Sequence, residues 1–206
     1  MNKFYFGLDL GQSQDYTALA VIEAKRKSQL HLRHAKRYEL GTPYPDIVTD
    51  VAALLKRQEV GSAPELVVDG TGVGAPVVDM FHKAGLLPYV VKIHGGDKVN
   101  SDGLEYRIPK RDLASCLQVY LQEKRLKIAA ALPLADILIG ELLNFKVKIS
   151  EKGHDSYEAW REGDHDDLVI AVAMPCWFIQ NVGSVPVEAF TENTEGWPDW
   201  EEEWGD

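Results

Sequence analysis

The first forty residues alternate between apolar runs and short polar breaks, a pattern that predicts three strands. Lys3–Asp9 is mostly apolar and indicates a buried strand, and Thr17–Glu23 and Gln29–Leu40 indicate two more. The polar turn at residues 25–28 separates the second strand from the third. Because both connections are short, we expect the three strands to pair antiparallel in sequence order.

Helical and strand patterns then alternate along the rest of the chain. Apolar residues recur at helical spacing across Pro45–Arg57. The later segments are predicted as strand Glu65–Asp69, helix Ala75–Ala84, strand Tyr89–Ile93, polar loop Gly95–Pro109, helix Arg111–Lys124, edge element Leu126–Ile128, helix Pro133–Leu143, strand Phe145–Ile149 and a last helix that follows Asp164 or His165. This order predicts an α/β fold in which three antiparallel strands precede parallel strands in one mixed sheet, with helices on both faces.

The composition fits one domain of residues 1–180 followed by a tail of residues 181–206. A chain of 206 residues with 45% hydrophobic and 26% charged residues can bury a sizeable core. No apolar run reaches the roughly 20 residues that span a bilayer, so we expect no membrane association. Cys116 and Cys176 are isolated in sequence, which favours a reduced, cytoplasmic setting.

The net charge of −10 is concentrated in the tail. Residues 181–206 hold eight acidic residues and no Lys or Arg, so −2 remains for residues 1–180. A nearly neutral domain can carry a local basic face. The tail also holds Trp197, Trp200 and Trp204. Because aromatic side chains anchor contacts well, we expect it to dock on this protein or on a partner, and the alternative is a disordered, solvated end.

Three acidic motifs carry the candidate chemistry. Asp9 and Asp69 each end an apolar strand, and Asp166 and Asp167 open the last apolar helix. Taken singly, such residues are turn formers or helix caps favoured by the helix dipole. Brought together by a fold, they form an oxygen-lined site for Mg²⁺ or Mn²⁺, the ions that assist phosphodiester cleavage.

Basic residues near the predicted loop and third helix are candidates for a nucleic-acid groove. Lys98, Arg107, Lys110 and Arg111 can neutralise backbone phosphates, and the alternative is that they are solvated loop and helix-start residues. For His165 we expect a polar role at the helix start rather than a contact with phosphate.

Five sequence motifs resemble those of the nuclease domain of phage large terminase subunits, a branch of the RNase H-like superfamily. The matching segments are Gly7–Gly11 with Asp15–Ala18, Val68–Gly74, Leu126–Ile128, Glu141–Phe145 and His165–Ala173. The resemblance implies an RNase H-like nuclease domain that cuts double-stranded DNA with two Mg²⁺ or Mn²⁺ ions. It implies that Asp9, Asp69 and Asp167 bind metal, with Asp166 as a possible fourth ligand.

Large terminases also carry an ATPase domain, and this sequence has no G-x-x-x-x-G-K-[ST] motif. We therefore expect an excised domain, a stand-alone phage or prophage protein or half of a split terminase, and the start and tail favour the stand-alone gene product. Possible partners are a packaging ATPase, a small terminase or a portal, in the host cytoplasm. The alternatives are a junction-resolving nuclease, an actin-like or sugar-kinase-type ATP-binding domain suggested by Gly7–Ser13, and an inactive adaptor.

Overall fold

The strands of the protein form one mixed sheet. The computed structural model describes residues 3–11, 15–25, 29–61, 63–72, 75–151 and 166–183, with the side chains of 75 and 146–151 left out. The described strands are β1 Lys3–Asp9, β2 Ala18–Lys25, β3 Gln29–Arg37, β4 Glu65–Asp69, β5 Tyr89–His94, β6 Asn100–Asp102, β7 Glu105–Pro109 and β8 Leu126–Ile128. The described helices are α1 Tyr44–Leu55, α2 Ala75–Lys83, α3 Lys110–Gln122, α4 Ala135–Glu151 and α5 Asp167–Asn181.

The sheet order is β6-β7-β5-β4-β1-β2-β3-β8. The first three strands pair antiparallel, as their short connections predict. Strands β4, β5 and β7 then extend the sheet on one side of β1 with parallel pairing, and β8 pairs parallel with β3 at the far edge. The carboxyl ends of β1, β3, β4, β5 and β7 therefore lie along one edge of the sheet, where α/β folds bind ligands.

Helices cover both faces of the sheet, as predicted, because side chains alternate along each buried strand. In β1, Phe4, Phe6 and Leu8 pack with α1 and α2 in one core cluster. Tyr5 lies on the opposite face, in the cluster that includes residues of α3, α4 and α5. The central helix α5 is buried from Asp167 to Phe178, which explains why its sequence is apolar on all sides.

Two sequence predictions in the second half of the chain are wrong. The segment Phe145–Ile149 was expected to be a strand, but it continues α4 to Glu151. Alternation over five residues also fits a helix, and Phe145 extends the buried helical series of Leu138 and Glu141. The polar loop Gly95–Pro109 contains β6 and β7, which form an antiparallel hairpin. These strands are short and β6 is fully exposed, so they give no hydrophobic signal.

Other predicted features cannot be compared with the structure. The proposed helix cap Asp164, His165 and residues 184–206 of the tail lie outside the described residues. Within the part that is described, no helix combines the length and apolar character needed to cross a bilayer.

Candidate metal centre

Asp9 and Asp69 lie on the α5 face of the sheet, at the edge formed by strand carboxyl ends. Leu8 pairs with Val68 in the parallel ladder between β1 and β4, and each aspartate is the next residue of its strand. Since Leu8 and Val68 face α1 and α2, strand alternation turns both aspartates towards α5. The fold thus brings together two carboxylates that are 60 residues apart in sequence.

The amino end of α5 lies at the same edge because α5 packs closely against β1. A Cβ atom on Gly7 would come within 1.9 Å of the Ala171 carbonyl oxygen and 2.6 Å of Pro175 Cδ. At the other end of β1, the rings of Tyr5 and Phe178 are 6.3 Å apart. The helix therefore runs antiparallel to β1, and its first residues, Asp166 and Asp167, lie towards Asp9.

A short turn after β4 fixes the Asp69 side chain. Asp69 Oδ1 accepts hydrogen bonds from the Thr71 backbone N–H at 2.7 Å and from Thr71 Oγ1 at 2.5 Å. Thr71 Oγ1 in turn accepts the Ile93 backbone N–H at 2.7 Å. These bonds tie Asp69 to β5 and leave its other carboxylate oxygen available to a ligand.

The pKa values of Asp9 and Asp69 are raised in this acidic environment. Burial raises the pKa of Asp9 well above its ordinary value, and the charges of Asp69, Asp166 and Asp167 add to the effect. Burial also raises the pKa of Asp69, although the hydrogen bonds from Thr71 and the charge of Lys110 oppose it. These mutual effects place the four carboxylates in one electrostatic cluster of concentrated negative charge.

Asp167 is held by an arginine from the end of β3. Arg37 Nε donates to Asp167 Oδ2 at 2.7 Å, and Arg37 Nη2 donates to Asp167 Oδ1 at 3.0 Å. The same Nη2 contacts Glu141 Oε1 of α4, and Glu141 Oε2 accepts the Val169 backbone N–H at 3.2 Å. One guanidinium thus joins two buried carboxylates to the first turn of α5.

Glu141 has an unusual environment for a carboxyl group. Burial and the neighbouring charge of Asp167 raise the pKa of Glu141 to about 7, against the opposing effects of Arg37 and the Val169 N–H. The three acidic groups Asp9, Asp69 and Glu141 therefore all bind protons more readily than in an unfolded chain.

Asp166 is paired with Lys110, the first residue of α3. Lys110 Nζ lies 2.7 Å from Asp166 Oδ2 and 5.5 Å from the centre of the Phe145 ring. Its positive charge also opposes the rise in the pKa values of Asp9 and Asp69. Lys110 was predicted as part of a nucleic-acid groove; the structure places it beside Asp166, and its contact with nucleic acid stays a prediction.

The donor set fits a hard divalent cation, because all four aspartates offer carboxylate oxygens. Among the described residues, however, no three His, Cys, Asp or Glu side chains are close enough together to hold one ion. The oxygens of Asp166 and Asp167 instead face Lys110 and Arg37. The residue types thus suit a metal, and two of the four carboxylates are paired with cations of the protein.

The other predicted basic residues lie around the β6–β7 hairpin. Arg111 pairs with Asp97 at 2.6 Å, Arg107 lies 3.4 Å from Glu105, and Lys98 is exposed. An open cleft of about 450 Å³ beside them is lined by Lys92, His94, Asn100 and Arg107. Each of these cations lies near the hairpin, and their contact with nucleic acid stays a prediction.

Sequence reasoning missed three residues that shape the site. Thr71 follows Asp69 in an Asp-x-Thr turn, a local signal that could have indicated its role. Glu141 is part of a motif that resembles large terminases, although no function was assigned to it. Arg37 gave no signal, because its contact with Asp167 joins residues 130 positions apart.

Structural comparison relates the fold to terminase nucleases of phages and of a human virus. The large terminase nuclease of the thermophilic phage G20c superposes with a TM-score of 0.56 at 17% identity, over 84% of this chain and 81% of that one. The manganese-soaked terminase nuclease domain of human cytomegalovirus gives a TM-score of 0.56 at 15% identity, over 89% and 86%. The large terminase of bacteriophage HK97 gives 0.52 at 12% identity, over 86% of this chain and 39% of that protein.

These similarities confirm the predicted RNase H-like α/β fold and the resemblance, at the level of fold, to large terminase nuclease domains. No protein-family model matches the sequence, and no curated protein sequence matches it either. The structural similarity thus identifies the fold, and the residues of the site indicate the activity.

Proposed function

We propose that the protein is a divalent-metal-dependent DNA endonuclease with Asp9, Asp69, Asp166 and Asp167 as its metal-binding residues. The observation that carries this proposal is the meeting of these carboxylates from three separate segments at the ligand-binding edge of the sheet. The manganese-soaked cytomegalovirus nuclease domain, which shares the fold, supports the choice of metal. We propose Mg²⁺ or Mn²⁺, with two ions bound.

Each residue of the site has a defined part in this proposal. Asp9 and Asp69 are the strand-borne ligands, and Thr71 holds the Asp69 carboxylate in one orientation. Asp167 is the main ligand from α5, because it is buried and fixed, and Asp166 is the more exposed fourth ligand. When bound, two divalent ions neutralise charge on the scissile phosphate and assist both the attack of water and departure of the 3′ oxygen.

The basic residues near the third helix suit a DNA backbone. Lys98, Arg107 and Arg111 lie at exposed positions around the β6–β7 hairpin, and Lys110 brings a positive charge into the carboxylate cluster. Phosphates approaching four carboxylates need such cations to offset repulsion. We propose double-stranded DNA as the substrate.

The biological role we propose is that of a terminase nuclease, which cuts concatemeric phage DNA during packaging. The similarity to two viral terminase nucleases and a complete large terminase favours this role over other nuclease roles. The sequence contains no phosphate-binding motif of a packaging ATPase. We propose that a packaging ATPase, on the same chain or on another, acts with this nuclease, together with a small terminase or portal.

Cleavage of supercoiled plasmid tests the activity. The protein should convert supercoiled DNA to nicked or linear forms in Mn²⁺ or Mg²⁺, and a chelator should abolish the reaction. Asp69→Asn should be inactive, whereas Asp79→Asn on the exposed side of α2 should cut normally. Cleavage that survives chelation, or no cleavage in either metal, contradicts the proposal.

A further inference from the structure

The aspartates of the site differ in the cations that accompany them. Asp167 receives two hydrogen bonds from Arg37, one to each carboxylate oxygen. Asp166 is paired with Lys110. Among the described residues, no Lys or Arg lies in a salt bridge with Asp9 or Asp69. A divalent ion can therefore approach Asp9 and Asp69 directly, but at Asp167 it meets oxygens that are already engaged.

Besides Asp167, Arg37 has two other contacts that can hold its guanidinium in place. Its guanidinium lies 4.8 Å from the centre of the Tyr16 ring and also contacts Glu141. Glu141 is itself fixed, because its second oxygen accepts the Val169 N–H in the first turn of α5. If Arg37 left Asp167, Glu141 would still provide a buried carboxylate as its counter-ion.

We propose that Arg37 is an internal counter-ion which competes with divalent metal for Asp167, and that Glu141 retains Arg37 when the metal binds. This inference rests on the proposed metal centre. Arg37 stabilises the cluster when no metal is bound, since one guanidinium offsets part of the repulsion among the carboxylates. Metal binding at Asp167 then exchanges one cation for another, so the buried guanidinium never lacks a carboxylate partner.

The competition predicts opposite effects of removing Arg37 and of removing Glu141, the second carboxylate that Arg37 contacts. Arg37→Gln removes the competing cation and should raise the affinity of the Mn²⁺ site that includes Asp167, on the order of tenfold. Glu141→Gln removes the retaining carboxylate, so Arg37 should hold Asp167 more tightly and weaken that site. The double variant should bind like Arg37→Gln, because Glu141 acts only through Arg37.

Mn²⁺ titration of the full chain, followed by electron paramagnetic resonance of the free ion, tests the inference without relying on activity. Arg33→Gln is the matched control. Arg33 also lies on β3 and pairs with a buried glutamate, Glu23, at 2.5 Å. It should leave Mn²⁺ affinity unchanged.

The possible outcomes separate this inference from the proposed function. Weaker or unchanged Mn²⁺ binding in Arg37→Gln would overturn the proposed competition. A double variant with wild-type affinity would also overturn it, because the charges of Arg37 and Glu141 would then act on the metal independently and cancel. Wild-type protein that binds no Mn²⁺ would overturn the metal centre itself. If Arg37→Gln does not fold, Arg37→Lys replaces it, because a lysine keeps the charge without the bidentate geometry and should also strengthen the site.

Discussion

Asp9 and Asp69 are the residues that directly follow the paired residues Leu8 and Val68 on neighbouring parallel strands, and both face α5. This relationship follows from parallel pairing and strand alternation, and it does not depend on any loop. Rigid strands therefore position the two carboxylates before a ligand arrives, as an efficient metal centre requires.

Replacing single aspartates should separate metal binding from folding. Asp9→Asn, Asp69→Asn and Asp167→Asn should each reduce plasmid cleavage by orders of magnitude, because each removes a charged ligand. Asp166→Asn should have a milder effect, since Asp166 is more exposed than Asp167. Quantified plasmid cleavage measures these differences, and a larger loss in Asp166→Asn than in Asp167→Asn would reverse the two assignments.

The same variants should differ in stability when metal is chelated. Asp9→Asn relieves repulsion within the cluster and should raise the melting temperature slightly. Asp167→Asn should lower the melting temperature, because the buried Arg37 loses one of its two carboxylate partners. Thermal denaturation in the presence of a chelator gives both values.

When a chelator has removed the metal, the stability of the protein should depend on pH through Asp9. Its folded pKa lies above the ordinary value of 3.8, so the folded state keeps a proton that the unfolded chain loses. The stability due to this group is therefore greatest at low pH and is lost as pH rises from about 4 through the folded pKa. Over this window the stability of wild type should fall relative to that of Asp9→Asn, and a constant difference would contradict the raised pKa.

The predicted DNA face can be tested through salt dependence. Lys98→Gln and Arg107→Gln should each weaken binding of duplex DNA and reduce the slope of log affinity against log salt by about one, because each removes one phosphate contact. Lys56→Gln, at the carboxyl end of α1, is the control. Binding is measured with chelator present to prevent cleavage. A salt slope equal to that of the control would exclude the residue concerned from the DNA interface.

Close packing between β1 and α5 should be needed for the site. In Gly7→Ala the new methyl group would collide with Ala171 and Pro175, so we expect a loss of about 1–3 kcal/mol in unfolding free energy. Displacement of α5 should also weaken Mn²⁺ binding by moving Asp166 and Asp167. Gly140→Ala, at an exposed position of α4 where an added Cβ would meet no neighbouring atom within 4 Å, should instead stabilise the protein by roughly 0.5–1 kcal/mol. Denaturant titration would contradict this account if the two variants were equally stable.

Local sequence patterns predicted the strands that carry Asp9 and Asp69 and the helix that begins near Asp166. These elements have long apolar segments, and their chemistry lies at the element ends. The hairpin of β6 and β7 could not be predicted in this way, because its stability comes from pairing with β5 rather than from an apolar pattern. The extension of α4 beyond Phe145 was obscured by a short alternation of lysines and apolar residues.

The ionic environment of the site was harder to predict than its acidic residues. Arg37 and Lys110 reach the cluster only because β3 and β7 end at the same edge as β1 and β4. This proximity follows from tertiary topology, and local sequence carries no trace of it. The ion pair between Lys110 and Asp166 was therefore not foreseen, and Arg37 was not recognised.

Anomalous diffraction from crystals soaked in Mn²⁺ tests the central claim most directly. The account predicts manganese peaks within coordination distance of Asp9, Asp69 and Asp167, with Arg37 displaced from Asp167 and still in contact with Glu141. Manganese bound only away from these carboxylates, under conditions in which the protein cleaves DNA, would contradict the proposed metal centre.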